Sequence, residues 1–186
     1  VEAFENGSSS LLIKPADDLL EFEAPFDRLY REHEGIDIKW DHVFYNGKYY
    51  SYYGIAPVIL LFMPYHLITG YFLPDAAAIL LFAIIGIVGL AMAFTAFIRK
   101  FFPSLPCGLY IISLIIIEAV SGIWFSIGRP LFYETAMAAG FAFLTWAVYF
   151  LMSANILGNG KISLPRTTAA SALFAYAVPL PSALVF

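Results

Sequence analysis

An aspartate, a histidine, an amide, a lysine and five tyrosines crowd into Asp41-His42-Val43-Phe44-Tyr45-Asn46-Gly47-Lys48-Tyr49-Tyr50-Ser51-Tyr52-Tyr53-Gly54, a run that leads directly into apolar sequence. Ionisable and hydrogen-bonding groups gathered at such a border can act on a substrate held in the membrane. Tyrosine suits the position because its ring enters the acyl boundary while its hydroxyl stays wet. Five tyrosines within nine residues therefore mark either a membrane-docked substrate surface or an anchoring belt. Asn46-Gly47 is a hairpin signal, which makes Lys48 a solvated turn residue. Further along, Glu118 lies within an apolar stretch, where an ionisable group is expensive. It is either protonated and hydrogen-bonded to a neighbouring helix or part of a polar cavity. Glu134 falls at a helix start, where a carboxylate meets the helix dipole favourably, so it either caps that helix or touches a substrate. His33, His42 and His66 have no metal-ligand spacing.

The elements that must position these groups belong to a membrane protein. The chain of 186 residues is 61% hydrophobic and only 13% charged, with a mean hydropathy of +0.78, far from an ordinary soluble domain. Residues 1–50 carry eleven acidic and five basic side chains, the remainder three acidic and five basic. An aqueous acidic part and a lipid-facing part follow. Phosphate backbones require clustered Lys and Arg, so nucleic acid is excluded as a partner. The single cysteine, Cys107, excludes an intrachain disulfide and a Cys-based zinc site. The start at Val1 without a signal segment and the stop at Phe186 inside an apolar run predict a piece of a longer protein.

Five apolar stretches can be set against the roughly 20 residues a spanning helix needs. Ile55–Leu73 is interrupted by Pro57, Pro64, His66 and Gly70, and reads as a juxtamembrane or re-entrant helix. Residues 76–186 read as a transmembrane bundle of about four helices, 76–98, 108–127, 135–157 and 167–186. The fold class is thus an all-α integral membrane bundle, with residues 1–54 as an N-terminal loop. The positive-inside rule places Arg99-Lys100 and Lys161/Arg166 in the cytoplasm. The Asp75 end and the Arg129–Glu134 turn then face outside. If Ile55–Leu73 lies along the interface, residues 1–54 are extracytoplasmic; if it spans, they are cytoplasmic. Its prolines, its histidine and the tyrosines before it favour the first arrangement, a multi-pass protein of the cell membrane.

Three strings carry a resemblance: Leu12-Ile13-Lys14-Pro15-Ala16-Asp17-Asp18-Leu19-Leu20, then Pro25-Phe26-Asp27-Arg28, then Trp40 through Val58. Together they resemble bacterial polytopic proteins of the GT-C glycosyltransferase superfamily, which includes the aminoarabinose transferase of lipid A and the protein O-mannosyltransferases. The resemblance covers nearly the whole chain and implies a first transmembrane helix ahead of Val1. It further implies an extracytoplasmic first loop with an acidic catalytic residue, ending in a juxtamembrane helix. Ser126-Ile127-Gly128-Arg129-Pro130-Leu131-Phe132-Tyr133-Glu134 is similar to the superfamily's outer turn, where an Arg-Pro pair and an acidic residue lie near the active cavity. The chain departs from the pattern at Leu180-Pro181, where related proteins place an Arg-Pro pair.

What the resemblance implies is transfer of a sugar from a polyprenyl-phosphate carrier to an acceptor hydroxyl on the outer face. Such a reaction needs a carboxylate base and a cation or metal to steady the phosphate leaving group. Asp27, at the Pro-aromatic-Asp position, and Asp41 are the candidate bases, although Asp27 equally suits a helix N-cap and Asp41 a turn. Arg28 and Arg129 can hold phosphate bidentately, although Arg129 also suits a snorkelling boundary anchor. Trp40 and Tyr49, Tyr50, Tyr52 and Tyr53 can stack on a sugar or seat a prenyl chain, and Glu134 is the acidic residue of the outer turn. No cofactor is required, and a divalent ion held by Asp and Glu is compatible with the superfamily. The expected partners are a lipid-linked sugar, membrane lipids and a glycan, lipid or protein acceptor. The alternative from another class is a non-enzymatic transporter or assembly scaffold, with Glu118 on a translocation path.

Overall fold

The computed structural model describes residues 1–23, 25–36, 42–51, 55–156 and 160–177. The polar N-terminal part contains three short helices, α1 (Glu2–Glu5), α2 (Asp17–Glu21) and α3 (Arg28–Glu34), and one hairpin, β1 (His42–Tyr45) with β2 (Lys48–Ser51). Asn46 and Gly47 both adopt positive φ, +49° and +69°, the twist that a two-residue turn between antiparallel strands requires. The register pairs Phe44 with Tyr49 and Tyr45 with Lys48. Leu19 of α2 closes over Phe44 and Tyr49, with Leu11 and Ile36 packed against them, giving this part a small core of its own.

Residues 55–73, read as one juxtamembrane helix, form a π-helical turn Val58–Phe62 followed by α4 (Met63–Thr69). Pro64 has no N–H for the carbonyl one turn back, and its ring crowds that carbonyl. The preceding turn widens accordingly, and the Met63 N–H donates to the Val58 carbonyl five residues earlier. Gly70, at φ +72°, ends α4. Glu5 of α1 meets His66 of α4 at 2.8 Å, and His66 stacks on Phe72 at 4.4 Å.

Two helices are long and apolar enough to cross a membrane, α5 (Asp75–Phe101) and α8 (Phe132–Ser153), with mean hydropathies of 2.7 and 1.6 over their most apolar windows. At about 1.5 Å per residue each exceeds 30 Å, the thickness of a bilayer's hydrocarbon core. Only 39% and 33% of those windows is buried within the chain, so much of their apolar surface is left uncovered among the described residues. The stretch 108–127, read as one helix, is instead broken into α6 (Cys107–Ala119) and α7 (Ile123–Gly128). Ser121-Gly122 causes the break: Gly122 takes φ +79°, a left-handed conformation that costs glycine little. The exposed Glu118 carbonyl is satisfied there by the Ser121 hydroxyl at 2.8 Å and the Trp124 indole N–H at 3.0 Å. The last helix, α9, covers Leu164–Ala177; the C-terminal part of the expected span 167–186 lies outside the described residues.

Packing is densest between α5 and α8. Ala78, Ala83, Gly86, Gly89 and Ala93 of α5 are buried, as are Ala138, Ala139, Ala142 and Thr145 of α8. Small residues on both sides let the backbones approach, the usual solution where helices meet in an apolar medium. Gly86 faces Phe141 and Ala142, and Gly89 faces Thr145 and Trp146. Both contacts advance in the same direction, so the helices run parallel, and α6 with α7 returns the chain between them. The Trp146 indole N–H donates to the Ile85 carbonyl at 2.9 Å. Ile79, Phe82 and Ala83 join Ala138, Ala139 and Ala142 with Ile123 of α7 in the main core. Helix α9 lies antiparallel to α8, from the Arg166 bond to the Ser153 carbonyl at one end to the Phe143–Tyr176 ring contact at the other.

A methyl group on Gly89 would stand 2.6 Å from Thr145 Oγ1 and 2.7 Å from Trp146 Cδ1. Gly89→Ala is therefore expected to lower stability by about 1–3 kcal/mol, the usual cost of overpacking. Gly108→Ala, where an added Cβ meets nothing within 4 Å, serves as the control. Thermal unfolding of both variants in the same detergent checks the difference.

Candidate functional site

The most constructed polar cluster lies where α7 turns into α8. Gly128 ends α7, and Pro130 cannot continue a helix and pushes the residue before it out of the helical region. Arg129 accordingly sits at φ −137°, ψ 75°. Leu131 is extended at ψ 159° and starts α8, which puts Glu134 in its first turn. The chain thus doubles back over a few residues and brings Ser126, Arg129 and Glu134 together.

Glu134 is 1% exposed, yet both carboxylate oxygens are engaged. Oε2 accepts from the Ser126 hydroxyl at 2.6 Å and Oε1 from Arg129 Nη2 at 2.8 Å. Burial of the carboxylate is sustainable because charge-assisted hydrogen bonds and the start of a helix both favour it. The Arg129 guanidinium lies 4.5 Å from the Phe125 ring centre and 5.4 Å from that of Tyr133, within cation–π range of both. Its hydrogen bond to Glu134 raises the Arg129 pKa above its ordinary value. With its side chain 49% exposed, Arg129 remains open to solvent. The arrangement is a guanidinium fixed from behind by a buried carboxylate, able to hold an anion in front. Beside it, Thr135 Oγ1 is buried without a hydrogen-bond partner.

The other sequence candidates are dispersed. Asp27 is exposed and caps α3, its Oδ1 accepting from the Tyr30 N–H at 3.1 Å. That geometry is the N-cap alternative, and it leaves a carboxylate at the surface. Nearby, Arg31 reaches the Pro25 carbonyl. Tyr49 is 3% exposed within the small core, so it is placed for packing, whereas Tyr50 is half-buried on the opposite face of β2. Strand alternation thus sends neighbouring tyrosines to opposite sides, and Tyr49 and Tyr50 do not form one surface. Asp41, Trp40, Tyr52 and Tyr53 lie outside the described residues, as does the Arg28 side chain. No hydrogen bond or ion pair among the described residues joins Asp27 to Arg129 or Glu134. Glu118 has both carboxylate oxygens shielded without a partner. Among the described residues no three His, Cys, Asp or Glu side chains gather as a metal-ligating group.

Ser126 stands in the outer-turn string, but the sequence assigns it no role. It is eight residues from Glu134 and becomes its partner only through the turn at Arg129-Pro130, so helical spacing gives no signal of it. No protein-family model, curated protein or solved structure matches the chain.

Removing the Ser126 hydroxyl leaves a buried carboxylate oxygen unpaired. Ser126→Ala is expected to cost about 1.5–3 kcal/mol, the range for hydrogen bonds to charged groups. Ser104→Ala, at an exposed turn, is expected to cost less than half as much. Comparing their melting temperatures with wild type in one detergent checks the contrast.

Proposed function

We propose that this protein is a multi-pass membrane glycosyltransferase that moves a sugar from a polyprenyl-phosphate carrier to an acceptor hydroxyl on the outer face of the membrane. The observation that carries the reading is Arg129, hydrogen-bonded to the buried Glu134 and within cation–π range of Phe125 and Tyr133, with its side chain half-exposed. A rigid guanidinium matches phosphate geometry and stabilises a leaving phosphate at little entropic cost. The charge pattern supports an outer location, since the basic Arg99-Lys100 and Lys161/Arg166 belong at the opposite end of the two long helices. In this reading Glu134 positions the guanidinium, and an aspartate of the N-terminal loop, Asp27 or Asp41, accepts the acceptor's proton.

One observation favours the second reading, a non-enzymatic transporter or scaffold. Glu118 keeps two shielded, unpartnered carboxylate oxygens inside an apolar helix, which is the kind of group that lies on an ion or proton path.

Two measurements separate the readings. Ser9→Cys in a Cys107→Ser background, probed on intact cells with a membrane-impermeant maleimide, is expected to be labelled; protection until permeabilisation would place residues 1–54 inside and remove the proposal. Asp27→Asn and Asp41→Asn are then assayed in isolated membranes for sugar transfer from a radiolabelled polyprenyl-phosphate sugar. One of them is expected to abolish transfer at unchanged expression. Full transfer in both variants would eliminate the loop aspartates as the base. Arg129→Lys, which keeps the charge and loses the planar fork, is expected to slow transfer by about tenfold or more, equivalent to one hydrogen bond to a charged group.

A further inference from the structure

At the end of the helices away from Arg129, an apolar groove of about 270 Å³ opens between α5, α6 and α8. Its walls include Ala93, Phe94, Phe97, Ile117, Val148 and Met152, with no polar side chain among them. Ala93 is buried and small, and space remains above it. From Leu90 to Phe97 the groove follows about 10 Å of α5 at 1.5 Å per residue. Lys100 comes three residues after Phe97, so the positions that line the groove lead onto a cation at its end. Arg99 is exposed beside it. Arg166 reaches the same end of α8 through the Ser153 carbonyl at 2.6 Å.

Among the described residues at this end of the helices there is no acidic side chain. Residues 76–117 and 135–186 contain no Asp or Glu, and no ion pair among the described residues involves Arg99 or Lys100. An apolar slot that leads to an unneutralised cation pair is complementary to a molecule with an alkyl chain and an anionic head. Lysine side chains at such a boundary extend along apolar surface and present their charge at the interface.

We propose that this groove seats one acyl chain of an anionic phospholipid, whose headgroup phosphate lies against Lys100 and Arg99 at the C-terminal ends of α5 and α8. The inference rests on the membrane reading above, but on none of its enzymology. The site is in the leaflet opposite Arg129, so it serves a resident lipid and is separate from the sugar-donor site. Its occupant ties α6, which has few other contacts, to the α5–α8 pair.

The test is native mass spectrometry of the detergent-purified protein titrated with phosphatidylglycerol or phosphatidylcholine of identical acyl chains. Wild type is expected to retain phosphatidylglycerol more strongly. Lys100→Gln is expected to weaken that binding about fivefold, corresponding to the roughly 1 kcal/mol that a basic residue contributes near an anionic lipid. Lys161→Gln, at the same end but away from the groove, is expected to leave it unchanged. Met152→Trp, which fills the groove, is expected to weaken both lipids, and Leu90→Trp provides a second filling if Met152→Trp does not fold. Equal retention of the two lipids, equal effects of the two lysine variants, or retention unaffected by either filling would each overturn the site. A doubled mass abolished by the filling variants would assign the groove to a second copy and overturn it as well. Alkaline carbonate extraction keeps the two failures apart. Release from membranes would defeat the membrane reading itself, whereas a retained protein that does not prefer phosphatidylglycerol defeats only the lipid site.

Discussion

The close approach of α5 and α8 governs most of what surrounds it. At Gly86 and Gly89 the absence of a Cβ lets Phe141, Thr145 and Trp146 press against the α5 backbone, and the Trp146 indole reaches the Ile85 carbonyl. If these helices cross a membrane, as their length and hydropathy allow, no hydrophobic force draws them together, because the surroundings are as apolar as the side chains. What remains is dispersion between closely fitted surfaces and the occasional interhelical hydrogen bond. Both depend on separation, and the two glycines set the separation. Since the helices run parallel, the intervening chain must travel back along them, and that requirement shapes α6 and α7.

The return is made in two pieces, joined at Ser121-Gly122. A continuous helix over 108–127 would satisfy its own backbone, whereas a broken one exposes carbonyls that need other donors. The Ser121 hydroxyl and Trp124 indole supply them at Glu118. The break also lets α7 tilt its Ile123 into the core beside Ile79 and Phe82, and brings Ser126 to Glu134. The polar cluster is thus a product of the same packing. A buried carboxylate is tolerated there because each oxygen has a donor, and the half-exposed guanidinium gains rigidity from it.

Several features are legible in the residues alone. Asn46-Gly47 between strand-forming residues announces the hairpin, because few other residues accept positive φ at both turn positions. Uninterrupted apolar runs announce α5 and α8 to within a few residues. Pro57 and Pro64 signal an irregular segment, though not its widened turn. Other features are not legible there. Tyr49 and Tyr50 are adjacent in sequence, and their separation into core and surface follows from strand pairing and from the arrival of Leu19. Ser121-Gly122 permits a break but is also compatible with a continuous apolar helix, and the structure takes the break, with Gly122 at φ +79° and Ile123 in the core. Asp27 is equally readable as a cap or a base; its bond to the Tyr30 N–H supplies the cap, and a surface carboxylate remains.

The sequence by itself determined which stretches are long and apolar and at which end of them the basic residues gather. Uninterrupted apolar runs give α5 and α8 a length and hydropathy sufficient to cross a membrane, and Lys and Arg gather toward one end of them. Tertiary structure decided which groups face each other. Gly89 against Trp146, Ile123 within the core and Ser126 on Glu134 are contacts between residues whose spacing carries no period. Contact depends on distance in space, and only the packing of helices that must share one seam sets that distance.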